Sequence, residues 1–243
     1  MLPLTRIGFL LVSFTLIFTG ISPAFSAGVG INATRVIINQ GQQAVSVTLR
    51  NSTEDTTYLV QSYLSNEEMQ KADALPIEVL PPLFHLAPNS QHDIRIIEKK
   101  HLATQLPMDR ESVFYFHARA IPNNHHKAMT AEDKNQGIIK IALENVIKVF
   151  FRPKNLTSSS VQAQAGLRFK KTPKGLHVAN PSPYYVTLVG LTLGKRPVSL
   201  TQQNLMLSPF SEVTYPIPSA EGTNVSWTTI NDLGGYNTHE TKF

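Results

Sequence analysis

The sequence contains no cysteine. This excludes a disulfide-stapled scaffold, a thiolate metal site and a cysteine nucleophile, and leaves the redox compartment open. Charge is sparse too. Asp, Glu, Lys and Arg make up 16% of the 243 residues, and the net charge of +5 is not gathered into any Lys/Arg block. Phosphate backbones need clustered cations, so nucleic-acid binding has no support. Neither a P-loop nor a nucleophile elbow occurs, heptads and short exact repeats are missing, and the carboxylates are scattered without an evident acid/base pair. Nothing in the sequence points to an enzyme, a metal site or a cofactor.

Long hydrophobic runs are missing except at the start. Arg6 precedes the apolar stretch 7–21, which is followed by Ser22-Pro23 and Ala24-Phe25-Ser26-Ala27. This order predicts a secretory signal over 1–26, cleaved after Ser26 or Ala27. The alternative is an uncleaved anchor, but the run falls short of the ~20 residues a bilayer span requires. The mature chain is expected to be exported and not embedded in a membrane.

Beyond the signal, the chain reads as short strands separated by turn residues. Strands are expected over 34–38, 44–49, 58–64, 83–86, 93–98 and 112–121, with 67–74 as loop or a single helical turn. The polar run Arg152-Pro153-Lys154-Asn155 and the serines that follow read as a linker at 153–160. Further strands are expected over 167–169, 176–179, 185–193, 213–217 and 225–230. The fold class is therefore all-β, with one immunoglobulin-like sandwich over 27–152 and a smaller one over 161–243.

The stretch 138–153 organises this reading. Ile139, Ile141 and Leu143 alternate with Lys140, Ala142 and Glu144, as in a strand with two unlike faces. At Glu144-Asn145 the alternation loses phase, and a bulge there would let one long strand serve two neighbours. Lys148 lies inside the apolar run and needs an anion or a face open to water. The strand is read as an edge, completed by another protein.

Other candidates have plainer readings. Gly28-Val29-Gly30-Ile31-Asn32-Ala33 matches a loose dinucleotide pattern but lacks a preceding strand and a following helix. His125-His126 has no third ligand at useful spacing. The sequons at Asn32, Asn51, Asn155 and Asn224 matter only in a glycosylating host. Phe150-Phe151 and Tyr184-Tyr185 read as core and interdomain packing. Periodicity alone leaves Arg35, Arg95, Glu111 and Asp232 as solvated strand charges.

Seven strings, taken in order, carry a resemblance. They are Ala33-Thr34-Arg35-Val36-Ile37, Tyr58-Leu59-Val60-Gln61-Ser62, Pro81-Pro82-Leu83-Phe84, Asp109-Arg110-Glu111-Ser112, Ile147-Lys148-Val149-Phe150-Phe151-Arg152-Pro153, Asn180-Pro181-Ser182-Pro183-Tyr184-Tyr185 and Thr229-Ile230-Asn231-Asp232. Over the whole mature chain the sequence resembles the periplasmic pilus-assembly chaperones of the chaperone–usher pathway, a family associated with sandwich folds and strand donation. The resemblance implies two immunoglobulin-like domains set in an L around a cleft, in a protein that binds pilus (fimbrial) subunits in the periplasm and delivers them to an outer-membrane usher. It implies that Arg35 and Lys148 hold a subunit's C-terminal carboxylate, that Ile139, Ile141 and Leu143 are donated to the subunit, and that Arg95, Glu111 and Asp232 form an ionic cluster between the domains. The lack of cysteine and the moderate loop at 122–137 resemble the short-loop subfamily, which typically serves rod-like pili. Tyr63 stands where many relatives have tryptophan. An exposed apolar edge also invites self-capping homodimers. The rival reading is an exported structural or adhesive sandwich module without chaperone activity.

Overall fold

The structure is a computed structural model that describes residues 28–66, 75–99, 106–123, 141–217 and 222–242. The signal at 1–26, the turn expected within 67–74, the histidines His125 and His126, and Ile139 lie outside these residues. Among the described residues, no helix is long and apolar enough to cross a membrane.

The first half contains β1 (Val29–Ile31), β2 (Arg35–Asn39), β3 (Ala44–Asn51), β4 (Tyr58–Ser65), β5 (Ile77–Leu80), β6 (Leu83–Leu86), β7 (Ser90–Glu98), β8 (Ser112–Pro122) and β9 (Leu143–Arg152). They form two sheets, ordered β1-β3-β7-β5 and β2-β9-β8-β4-β6. Successive side chains of a strand point to opposite faces, so each strand contributes every second residue to the interior. Val47, Leu49, Ile94 and Ile96 of the first sheet thus meet Val36, Ile38, Phe116, Val149 and Phe151 of the second in one core.

The second half has its own core, around Leu176, Val178, Leu188, Leu193, Tyr215 and Trp227. It opens with α1 (Ser160–Ala165), followed by β10 (Arg168–Thr172), β11 (Gly175–Ala179), β12 (Val186–Leu193), β13 (Arg196–Pro197), β14 (Met206–Leu207), β15 (Glu212–Tyr215), β16 (Asn224–Ile230) and β17 (Tyr236–Lys242). One sheet runs β10-β11-β15 and the other β13-β12-β16-β17, with β14 added to β12. The chain is two immunoglobulin-like sandwiches in tandem, each with its own core. The polar run expected as a linker ends in a helix: Ser159 caps it, and Gln162 returns the bond to the Ser159 backbone. That reciprocal pair satisfies two of the N–H groups a helix start leaves open.

The bulge expected at Glu144-Asn145 is absent. β9 pairs antiparallel with β8 in unbroken register from Leu143 opposite Ala120 to Phe151 opposite Ser112. The phase was never lost, because Ile141, Leu143, Ile147, Val149 and Phe151 share one parity. Phe150 is also buried, but on the opposite face, where the second sandwich covers it. The edge expectation holds for only half of the strand. On its other side, β9 pairs parallel with β2 from Lys148 to Arg152. Among the described residues, Leu143–Ile147 has a ladder partner in β8 alone.

Candidate functional site at the junction of the two sandwiches

The outward face of β2 and β9 is where the sandwiches meet. Val36 and Ile38 point into the core, so Arg35, Ile37 and Asn39 point away from it. Ile147, Val149 and Phe151 likewise turn Lys148, Phe150 and Arg152 outward. The parallel register then sets Arg35 beside Lys148, Ile37 beside Phe150 and Asn39 beside Arg152. This face therefore carries three cations, arranged around one aromatic ring.

Arg152 joins the two sandwiches. Its Nε donates to Glu111 Oε1 at 2.7 Å, and its two terminal nitrogens donate to the carboxylate of Asp232 at 2.8 and 3.0 Å. This two-pronged pairing matches the planar guanidinium fork. Glu111 is buried, and its other oxygen accepts from the Tyr185 N–H at 2.9 Å. The Glu111 N–H donates to the Pro183 carbonyl at 2.9 Å. The loop holding Pro183 and Tyr185 is shaped by buried Asn180, whose amide donates to the carbonyls of Tyr184 and Ser208 and whose Oδ1 accepts from Ser182. Rings close the junction: Phe150 lies 5.7 Å from Tyr185, and Arg152 sits 5.0 Å above Tyr184. The double aromatics are packing residues, as expected.

Burial pushes the Glu111 carboxyl above its ordinary range, although Arg152 and the Tyr185 N–H pull the other way. Asp232 also feels desolvation, but the bonds from Arg152 and Ser160 outweigh it and hold its carboxyl low. Two carboxylates on one guanidinium are thus moved in opposite directions, because one is much more deeply buried.

The ionic cluster differs from expectation in one member. Glu111 and Asp232 are brought together, but Arg95 is not with them. Ile94 and Ile96 enter the core, so Arg95 faces outward from β7, on the sheet opposite the one that carries β9. The cation of the cluster is Arg152. The signal that would have found it is parity: Arg152 shares the outward face with Lys148 and Phe150.

Arg35 is half-buried at the junction. Its Nη1 donates to the Ile230 carbonyl at 3.2 Å, and its guanidinium stands 5.7 Å from the Phe150 ring. Its Nε is buried without a hydrogen-bond partner. Desolvation lowers its pKa, opposed by Asp232 and Glu111. Lys148, half-buried, stands beside it. The turn between β16 and β17 packs nearby. Gly234, at φ +84, packs so tightly on Thr34 that a side chain there would strike the Thr34 hydroxyl. Beyond the junction, Ile141 is 68% exposed and Leu143 is 55% exposed, two large apolar side chains left uncovered at one strand end. The described residues hold no cluster of three metal-ligating side chains.

Both halves of the chain match family profiles. Residues 28–157 match the pili and flagellar-assembly chaperone, PapD N-terminal domain, and residues 162–241 match the pili assembly chaperone PapD, C-terminal domain. The probable fimbrial chaperone protein ElfD of Escherichia coli (strain K12) is 35% identical over 232 residues, covering 93% of this chain and 93% of ElfD. Among solved structures, the periplasmic chaperone SfaE superposes with a TM-score of 0.70 at 30% identity, over 88% of this chain and 98% of SfaE. The Salmonella enterica SafB chaperone, solved in complex with the SafA pilin, superposes with a TM-score of 0.72 at 26% identity, over 92% of this chain and 99% of that one.

Proposed function

Because this chain belongs to the family of pilus-assembly chaperones, with both of its halves matched, we propose that it holds a pilus subunit by two devices, a carboxylate clamp and a donated strand. The SafB chaperone takes a pilin as its partner, and the same class of partner is proposed here. The single observation that carries the reading is the register that sets Arg35 beside Lys148 across β2 and β9, with a buried Arg35 Nε left without a hydrogen-bond partner. A buried donor without an acceptor is costly, and two adjacent cations repel. A carboxylate from outside relieves both, and a chain terminus supplies one without a long side chain.

The donated strand follows from the free edge. A subunit that lacks its last strand exposes a groove and a row of unpaired ladder groups. The segment leading into Leu143–Ile147 offers the matching row, with Ile139, Ile141 and Leu143 all of one parity. Each such side chain contributes roughly 1.5–3 kcal/mol when fully buried, before the cost of ordering. A slip of one residue would present Lys140, Ala142 and Glu144 instead. The clamp prevents it, because the subunit's last residue is fixed at Arg35 and Lys148 and the pairing is counted from there. Left empty, the same edge would pair with a second copy of the chain. Delivery to an outer-membrane usher, and export to the periplasm by the segment 1–26, belong to the same proposal.

Arg35→Ala and Lys148→Ala test the clamp. Circular dichroism should match the parent, while co-purification with a co-expressed pilus subunit should be lost. Normal subunit recovery by both variants would remove the clamp from the mechanism.

A further inference from the structure

The donor edge has a polar fastening on its other face. Glu144 is the second residue of β9, next to Leu143, where the ladder with β8 ends. Three side chains of the neighbouring strands converge on its carboxylate. The Tyr63 hydroxyl of β4 donates to Glu144 Oε1 at 2.7 Å. Arg119 Nε of β8 lies 3.4 Å from the same oxygen, and His117 Nδ1 of β8 lies 3.5 Å from it. These groups also hold one another. Tyr63 and His117 are register partners whose rings stack at 4.5 Å and 5°. Arg119 lies opposite Glu144 in the ladder, and its Nη2 donates to the Tyr63 hydroxyl at 3.4 Å. Buried His117 is fixed from behind by Ser65, whose Oγ is 2.8 Å from Nε2. Desolvation pushes the Glu144 carboxyl up, but its partners outweigh that and hold it low.

An exposed carboxylate near the end of an edge strand gains little from one salt bridge. Here Tyr63 bonds one oxygen and Arg119 pairs with it, with His117 Nδ1 3.5 Å away, at the place where backbone pairing stops. A strand alternates its faces residue by residue, so pinning Glu144 outward turns Leu143 and Ile141 to the opposite face. We propose that Tyr63, His117 and Arg119 are positioning residues which act through Glu144 to fix where the donated segment leaves the sheet and which face it presents. This rests on the strand-donation reading above. Tyr63 is specific to the device, since an aromatic ring without the hydroxyl would keep the stack on His117 and lose the grip on Glu144.

The test combines Tyr63→Phe, Glu144→Ala and the double variant, all in the full mature chain. Two quantities are read: amide hydrogen exchange across β9, and release of a labelled pilus subunit of the strand-deficient immunoglobulin type. Each single variant should speed exchange at those amides of Leu143 to Val146 that bond β8, and subunit release, by about tenfold. Exchange in the rest of β8 and β4 should stay at parent values, and the double variant should be no worse than either single one, because both act through the same carboxylate. Parent-like exchange at these amides, parent-like release, or additive effects would each overturn the positioning role. Failure of the parent to retain the subunit, or retention by Ile141→Asp equal to the parent's, would instead overturn strand donation itself.

Discussion

At the scale of single residues, the guanidinium of Arg152 ties together two carboxylates with opposite responses to pH. Asp232 has its folded pKa below the ordinary 3.8, so its contribution to stability is complete above that value and is lost as the pH falls through the lower folded one. Glu111 is raised above the ordinary 4.5, which reverses the sign: its contribution is complete below 4.5 and is lost as the pH rises through the higher folded value. Asp232→Asn should therefore lower the melting temperature at neutral pH. The side chain of Asp232 is 35% exposed, so solvent screening limits the effect to about 1 kcal/mol, or roughly 2–4 °C. The gap between parent and variant should close below pH 3.8. Calorimetry between pH 7 and pH 3 measures it, and a gap constant across that range would show that the charge of Asp232 contributes nothing. The residues of this junction were partly legible in the sequence. Glu111 and Asp232 came from the family resemblance, and each pairs with Arg152. Arg95 did not, because an alternating run such as Asp93-Ile94-Arg95-Ile96 shows that the arginine leaves the core but not which sheet it leaves from. That information lies in strand order, which the local pattern does not carry.

At the scale of elements, many strands that bury one face announced themselves, but β5 did not, although its Ile77 and Val79 enter the core. β2, β3, β4, β8, β12 and β16 alternate buried and open residues and were expected within a few residues of their observed ends. β17, read along Tyr236-Asn237-Thr238-His239-Glu240-Thr241-Lys242, buries none of its residues and shows no apolar alternation, so only its pairing with β16 reveals it. The helix α1 is too short to display a 3.6-residue period, and its one sequence mark is the Ser159–Gln162 capping pair. β9 was found, but its phase was misjudged, because Phe150 is buried on the face that alternation alone assigns to solvent. The half of that element proposed for donation carries its own prediction. Ile141→Asp forfeits an apolar burial and places an unpaired charge in the subunit groove, so affinity should fall by roughly 3 kcal/mol or more. Because Ile141 is exposed in the free chain, the variant's own melting temperature should stay near that of the parent. Titration against a pilus subunit reads the first quantity and calorimetry the second. An unchanged dissociation constant would remove this side chain from the interface.

At the scale of the whole molecule, the proposed clamp depends on the junction between the sandwiches. The same outward face of β2 and β9 holds the bridge at Arg152, the ring contact at Phe150 and the cation pair at Arg35 and Lys148. The second sandwich thus partly shields the cations from water, with Arg35 bonded to its Ile230 carbonyl. Two sandwiches could be counted from turn spacing and the polar run at 153–160. The face on which they meet could not, since it depends on which strands neighbour each other. The most direct measurement is a calorimetric titration with two synthetic peptides of a subunit's last strand, identical except that one ends in a free carboxylate and the other in an amide. Clamping by Arg35 and Lys148 predicts that the acid binds roughly 10–100-fold more tightly, the ratio expected for about 1.5–3 kcal/mol of charged hydrogen bonding, and that the ratio collapses towards one in Arg35→Ala. Equal binding of acid and amide by the parent protein would contradict it.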